Sequence, residues 1–320
     1  MSGYVVRRLA QVLPVIALAL AVNFTLIHLA PGDPVYVLAG DHGSVEYYAE
    51  MRAKFGLDRP LWEQLLRYVL GVLRADFGYS FTYGQPVLAV IAERIPATLL
   101  LMGSALLVAL VLGVLLGAVA GARADTRLGL LLRSGSALGY ALPPFWIGQL
   151  LILLFAHLLG VFPIYGMESL RGGFTGWARV LDALHHLALP VAALALVETG
   201  IILRLTVTAI REVGEADFVR TARAKGLGEW AVLRRHRLPN ALLPVVTVVG
   251  QRVGSLLTGA VLVEIVFAWP GLGRLLYEAV LARDYPLLMA MLLVTGLCLT
   301  LANLLTDLAY AFLDPRVRYD

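Results

Sequence analysis

Six stretches of this chain are so long and so poor in charge that a lipid bilayer is the only surrounding that suits them. A helix needs about 20 mostly apolar residues to cross the hydrocarbon core, where each backbone N–H and C=O must be satisfied within the segment. Leu9–Gly32, Ile95–Gly121, Ser134–Met167 and Tyr285–Thr306 contain no Asp, Glu, Lys or Arg. Ala183–Ile210 carries only Glu198 and Arg204, and Leu242–Ala268 only Arg252 and Glu264. Only 15% of the 320 residues are charged and 59% are hydrophobic, whereas soluble domains carry about 25% charge. The same apolar content excludes a disordered chain. Cys298 is the single cysteine, which excludes a disulfide scaffold; in its apolar run it reads as a small buried hydrophobe.

The expected fold is therefore an all-α integral membrane protein with six transmembrane helices at 9–30, 95–121, 134–160, 183–210, 242–267 and 285–308. Arg7 and Arg8 precede the first, as in a secretory signal, but its apolar run exceeds the about 7–15 residues of a signal core, so it reads as uncleaved. Lys and Arg in short loops set orientation. With the N-terminus (1–8) cytoplasmic, the loops at 122–133 and 211–241 and the C-terminus (309–320) also face inward, and the inner side holds fourteen basic residues. The short outer loops at 161–182 and 268–284 then hold four, and the long outer region at 31–94 obeys the rule weakly. Both termini are thus expected in the cytoplasm. The net charge of +4 is a consequence of topology, and no nucleic acid is expected as a partner.

Within the spans, Gly113, Gly117 and Gly121 recur every four residues and line one helix face for close packing. Pro14, Pro190 and the pair Pro143-Pro144 are expected to kink or break their helices. Glu198, Arg204, Arg252 and Glu264 are candidates for a translocation path, because intramembrane charge is costly and is functional by default. Glu198 and Arg204 lie on different faces; Arg252 could answer Glu198 across helices. Glu264, near the outer end of its span, is expected to reach water. His28, His157, His185 and His186 lack ligand-like spacing, so no metal site is expected. No catalytic constellation appears: there is no H-E-x-x-H, no Gly-x-Ser-x-Gly and no paired Asp motif.

The stretch Glu215–Thr247 reads as a short basic helix–turn–helix standing off the membrane. Asp217 is expected to cap a helix whose face is Phe218, Thr221, Ala222 and Lys225, at i, i+3, i+4 and i+7. Gly226 ends it. Gly228-Glu229 opens a second helix with negative charge at its start. Leu238-Pro239 closes the unit, and Pro244 marks the beginning of the fifth span.

This stretch resembles the cytoplasmic "EAA loop" of bacterial ABC importer permeases. That pattern has Gly six residues after its Glu and Leu-Pro twelve and thirteen after the Gly; Gly226 and Leu238-Pro239 keep the spacing. Arg220-Thr221-Ala222 stands at the Glu-Ala-Ala positions, so the Glu is missing, and His236 replaces a usual Ile. Those departures, with the run Arg220–Leu227, resemble the dipeptide/oligopeptide/nickel branch. Pro31–Pro34, Gly56–Pro60, Asp76–Ser80, Trp269–Gly273 and Arg283–Pro286 extend the likeness along nearly the whole chain.

The resemblance implies a type I importer bundle paired with a second homologous permease subunit. It implies two ATPase subunits on the cytoplasmic side and an extracytoplasmic solute-binding protein on the other. No G-x-x-x-x-G-K-[ST] loop is present, so ATP and Mg would bind the partners and this chain would hold no cofactor and would not itself be an enzyme. Asp217, Arg220, Thr221, Ala222, Arg223, Lys225, Gly226, Leu238 and Pro239 would form the ATPase-coupling loop, with small Ala222 allowing close seating. The expected function is ATP-driven import of di- or oligopeptides by alternating access. Nickel complexes, glutathione or oligosaccharides are the alternative cargo, and an ion-coupled secondary transporter is the competing mechanism.

Overall fold

The computed structural model describes residues 14, 16–25, 29, 44–55, 58–169 and 173–313, except for the side chains of 51, 52, 54, 55, 138, 247, 250–258, 302, 303 and 305–313. Arg7, Arg8, the Pro31–Pro34 motif, Arg171, Arg316, Arg318 and the side chain of Arg252 lie outside the described residues. What is described is nearly all helical. Its only β feature is an isolated antiparallel bridge between Tyr79 and Pro86.

The helices in chain order are α1 (Ile16–Thr25), α2 (Val45–Phe55), α3 (Leu61–Leu73), α4 (Val87–Ala122) and α5 (Arg127–Ala141). Then come α6 (Pro144–Leu151, continuing as a π-helix over Ile152–Leu158), α7 (Trp177–Gly214), α8 (Asp217–Ala224) and α9 (Glu229–Val232, continuing as a π-helix over Leu233–Arg237). α10 (Leu238–Val266), α11 (Leu272–Leu281) and α12 (Tyr285–Leu313) complete the chain. α4 and α7, of 36 and 38 residues, are each long and apolar enough to cross a membrane. α5 and α6 pass the same test only as a pair, bent by 101° where Leu142-Pro143 interrupts them. Pro143 and Pro144 explain the break: neither donates a backbone hydrogen bond, and each biases the residue before it away from helix. Pro190 and Pro244, by contrast, sit inside α7 and α10 without interrupting them.

The chain divides into two compact units, residues 1–96 with 274–300, and residues 97–273 with 301–320. In the first, the turn at residues 76–86 and the start of α12 are joined by Asp284. This carboxylate is fully buried and accepts hydrogen bonds from the Ser80 hydroxyl, from Thr82 N at 3.0 Å and from Leu287 N at 3.2 Å. It therefore caps α12 and fastens a distant turn with one group. Tyr83 donates its hydroxyl to Glu278 at 2.7 Å, and Arg274 Nε donates to the same carboxylate at 2.7 Å.

The second unit is organised around α7, which packs on α5, α6 and α10. Its core includes Leu101, Ala105 and Ala109 from α4, Leu194, Ile202 and Ile210 from α7, and Val245, Val249 and Val263 from α10. Gly113, Gly117 and Gly121 of α4 lie against Ile202, Thr206 and Ile210 of α7. A Cβ on Gly117 would stand 2.6 Å from the Thr206 Cβ and 2.8 Å from the Leu203 carbonyl oxygen, closer than atoms pack. The glycine face is thus taken up by a helix of this same chain.

Candidate functional site

The 211–241 region folds as a knob at the end of α7. α8 starts at Asp217 itself, which differs from the expected cap: Ala216 holds the cap position, and no side-chain hydrogen bond caps the helix. Gly226 ends the helix at φ +81°, a conformation that a side chain disfavours. Val219, Ala222 and Val232 are buried together, with Val213 and Leu227 packed against them. Ala222 is small because α9 sits on it; its Cβ points into the knob, whereas Phe218, Thr221 and Lys225 are exposed. The four residues expected to share one helix face therefore divide between buried and exposed.

Leu238-Pro239 also differs from expectation. It does not close the knob; it opens α10, which runs unbroken through Pro244 to Val266. Pro239, which lacks an N–H, falls where the π-helical turn over Leu233–Arg237 passes into α10, and Arg237 and Leu238 keep helical backbone angles across the join. The knob's second arm is thus continuous with a long core helix.

Arg237 makes the other connection. It is buried, and its guanidinium donates to the Ile210 carbonyl at 2.8 Å and 3.3 Å, near the C-terminal end of α7. Gly214 leaves room for it; a Cβ there would come within 2.7 Å of the guanidinium. Burial, with the like charge of Arg223, pulls the Arg237 guanidinium below its ordinary value, while Glu229 opposes the shift. Nothing in the sequence singled out Arg237 from its basic neighbours.

Outside the knob, Arg223 grips Glu229 with two bonds of 2.7 Å and 3.1 Å across the turn. Arg220 lies 3.6 Å from Asp217. Phe218 and Trp230 are 45% and 67% exposed, amid exposed Arg220, Lys225, Arg234 and Arg235. Two exposed aromatics among cations, on a knob with its own small core, form a surface suited to a protein partner.

The charges within the apolar stretches separate sharply. Glu264 is fully buried and does not reach water. Its carboxylate accepts from the Thr98 hydroxyl and from Gly273 N, both at 2.7 Å. Its carbonyl accepts from Trp269 N at 2.8 Å, and Trp269 Nε1 donates to the Ala97 carbonyl at 2.8 Å. Gly271 passes so close that a Cβ would stand 2.1 Å from the carboxylate. Trp269–Gly273 is thus a turn folded around a buried acid, and the missed signal is Thr98, an unremarked threonine in an apolar span. Glu198 is buried within α7.

Arg204 is exposed, and Nη1 donates to the Tyr140 hydroxyl at 3.1 Å. It lines two adjoining clefts, of about 490 Å³ and about 320 Å³.

Two family models cover nearly the whole chain. Residues 113–319 match the binding-protein-dependent transport system inner membrane component, and residues 1–102 match the N-terminal part of such membrane components. The chain belongs to this family. The permease is 37% identical over 342 residues to the dipeptide transport system permease protein DppB of Escherichia coli (strain K12), with 100% of this chain and 99% of that protein covered. It is 36% identical over 320 residues to the oligopeptide transport system permease protein AppB of Bacillus subtilis (strain 168), covering 100% of both. Its fold resembles that in a crystal structure of an amino acid ABC transporter with histidines, at TM-score 0.51 and 15% identity over 70% of this chain and 94% of that one. As a member of this family the permease is an inner-membrane component of a transport system.

Proposed function

We propose that the chain is the transmembrane permease subunit of an ATP-driven, binding-protein-dependent importer of di- or oligopeptides. In this reading it spans the membrane six times with both termini in the cytoplasm. It pairs with a second homologous permease, rests on two ATPase subunits that bind ATP and Mg, and receives peptide from an extracytoplasmic binding protein. The observation that carries the reading is the knob at 211–241, whose second arm is continuous with α10 and is also tied to α7 by Arg237. A partner that moved this knob would move two core helices together. That is the mechanical need of alternating access, in which closure of the ATPase dimer opens the bundle to one side and hydrolysis returns it.

Arg220, Thr221, Arg223, Lys225 and Gly226 present the outer surface of the knob in this reading. Phe218 and Trp230 join them as contact residues, and Ala222 and Val219 keep the surface in shape. The test is reconstitution of the permease pair with its ATPases and binding protein. Peptide uptake that requires ATP, with loss of ATPase co-purification in Trp230→Ala, is expected. Uptake driven by an ion gradient without ATP would overturn the reading.

A further inference from the structure

We propose that Arg204 is where the permease itself meets the C-terminal carboxylate of a passing peptide, with Glu212 receiving the ammonium end. The inference rests on the peptide-import reading above. Arg204 lies six residues before the end of the apolar stretch Ala183–Ile210, about 9 Å of helix rise. A guanidinium at that depth needs water, protein or substrate around it. Here the Tyr140 hydroxyl accepts one of its N–H groups, which fixes the fork without consuming it.

The two clefts share Tyr140, Arg204, Thr208 and Glu212. The larger adds Arg211 and Glu215 towards the knob; the smaller adds Ile201, Leu205, Val245 and Val248 as an apolar wall. Arg204, Thr208, Arg211 and Glu212 fall at i, i+4, i+7 and i+8, a single face of α7, and Glu215 at i+11 is its C-terminal cap residue. Fixed charges beside an apolar wall suit a ligand whose ends are constant and whose side chains vary. A carboxylate accepts the arginine fork through two parallel bonds. Arg204 and Glu212 are about 12 Å apart along the helix, the length of about three to four extended residues.

Arg133 also lines the larger cleft but is committed elsewhere. Its Nε donates to the Gly129 carbonyl at 3.2 Å and its Nη2 to the Ala124 carbonyl at 2.8 Å. Glu198, the acid expected to serve the amino end, is buried and lines neither cleft.

The experiment measures ATP-dependent uptake into proteoliposomes carrying the complete transporter, with one binding protein preparation throughout. Three tripeptides of one sequence are compared: free, C-terminally amidated and N-terminally acetylated. Arg204→Gln is expected to slow the free tripeptide by about tenfold and leave the amide unchanged. Glu212→Gln is expected to act on the free-amine peptides and spare the acetylated one. Arg204→Lys should restore part of the rate. Tyr140→Phe, which retains the Arg204 charge but removes the hydroxyl that orients its fork, should lower the same free-acid preference by a smaller factor, and it carries the test if Arg204→Gln fails to assemble. Equal slowing of free and amidated peptide, or no change in either, would overturn the proposal while leaving the import reading standing. Failure of the wild type to import any of the three would overturn both.

Discussion

At the C-terminal end of α10, Glu264 is fully buried, and the Thr98 hydroxyl and the Gly273 amide bond its carboxylate. At the N-terminal end, Arg237 is also buried and bonded, but it anchors a knob that leaves Phe218, Trp230 and several cations exposed. Both ends bury one charge, and only one of them is finished by the chain itself. The difference teaches that a charge in an apolar stretch does not by itself mark a path or a partner. What marks it is whether the surrounding chain supplies the opposing groups.

The sharpest way to break this comparison is at the closed end. Glu264→Ala leaves the Thr98 O–H and the Gly273 N–H without their acceptor in a buried site, and each such donor costs about 1–3 kcal/mol. A loss of about 3 kcal/mol or more is expected, read as a lower unfolding temperature in detergent. Uptake of every peptide should fall together. A stable Glu264→Ala variant with altered peptide preference would instead return Glu264 to the translocation path.

At the other end, Arg237→Ala removes both bonds to Ile210 at an expected cost of about 2 kcal/mol. The permease should still insert, and ATP hydrolysis in the assembled complex should persist while uptake falls. Ala222→Glu is expected to abolish uptake as well, but for an internal reason: it drives a carboxylate between Val219 and Val232. It therefore reports on the knob's own core, and Trp230→Ala is the cleaner probe of contact.

What could be read from the sequence follows from what is local. A charge-free run of 27 residues at 95–121 needs no tertiary information to be read as helix, and it lies within α4. The Gly226 turn is equally local, because one residue's φ decides it. The burial of Glu264 is not legible in the sequence because one of its partners is remote: Thr98 is 166 residues away, and spacing carries no trace of that contact. The packing of Ala222 against Val219 and Val232 is not legible either, because helical periodicity defines a face without saying whether water or chain covers it. The same holds for Arg237, one of several basic residues in a row, whose partner Ile210 lies 27 residues back. In the glycine face of α4 the spacing marks a close approach, and the structure supplies the helix that makes it.

A smaller effect is expected at the turn of the knob. Gly226→Ala places a side chain at φ +81°, where open space surrounds it and the strain is in the backbone alone. The expected cost is about 1 kcal/mol, confined to α8 and α9. Hydrogen exchange of the 217–237 amides should speed up while the amides of α7 are unchanged. Equal acceleration in α7 would mean that the knob and the core helices unfold as one unit, and would erase the distinction between the two ends of α10.

The smallest effect is expected from the ion pair across the same turn. Arg223 and Glu229 are bonded twice but lie in water, so the pair contributes at most about 0.5 kcal/mol. The side-chain bond from Arg223 holds the Glu229 carboxyl below its ordinary value. A lowered acid contributes stability that is present above the unfolded value and is lost as the pH falls through the folded one. A double-mutant cycle of Arg223→Ala and Glu229→Ala should therefore give a small coupling at neutral pH that disappears under acid conditions and shrinks with salt. A larger coupling in the assembled complex than in the isolated permease would show that a partner covers the pair and removes it from water. That would identify the open end of α10 as the one completed by another protein.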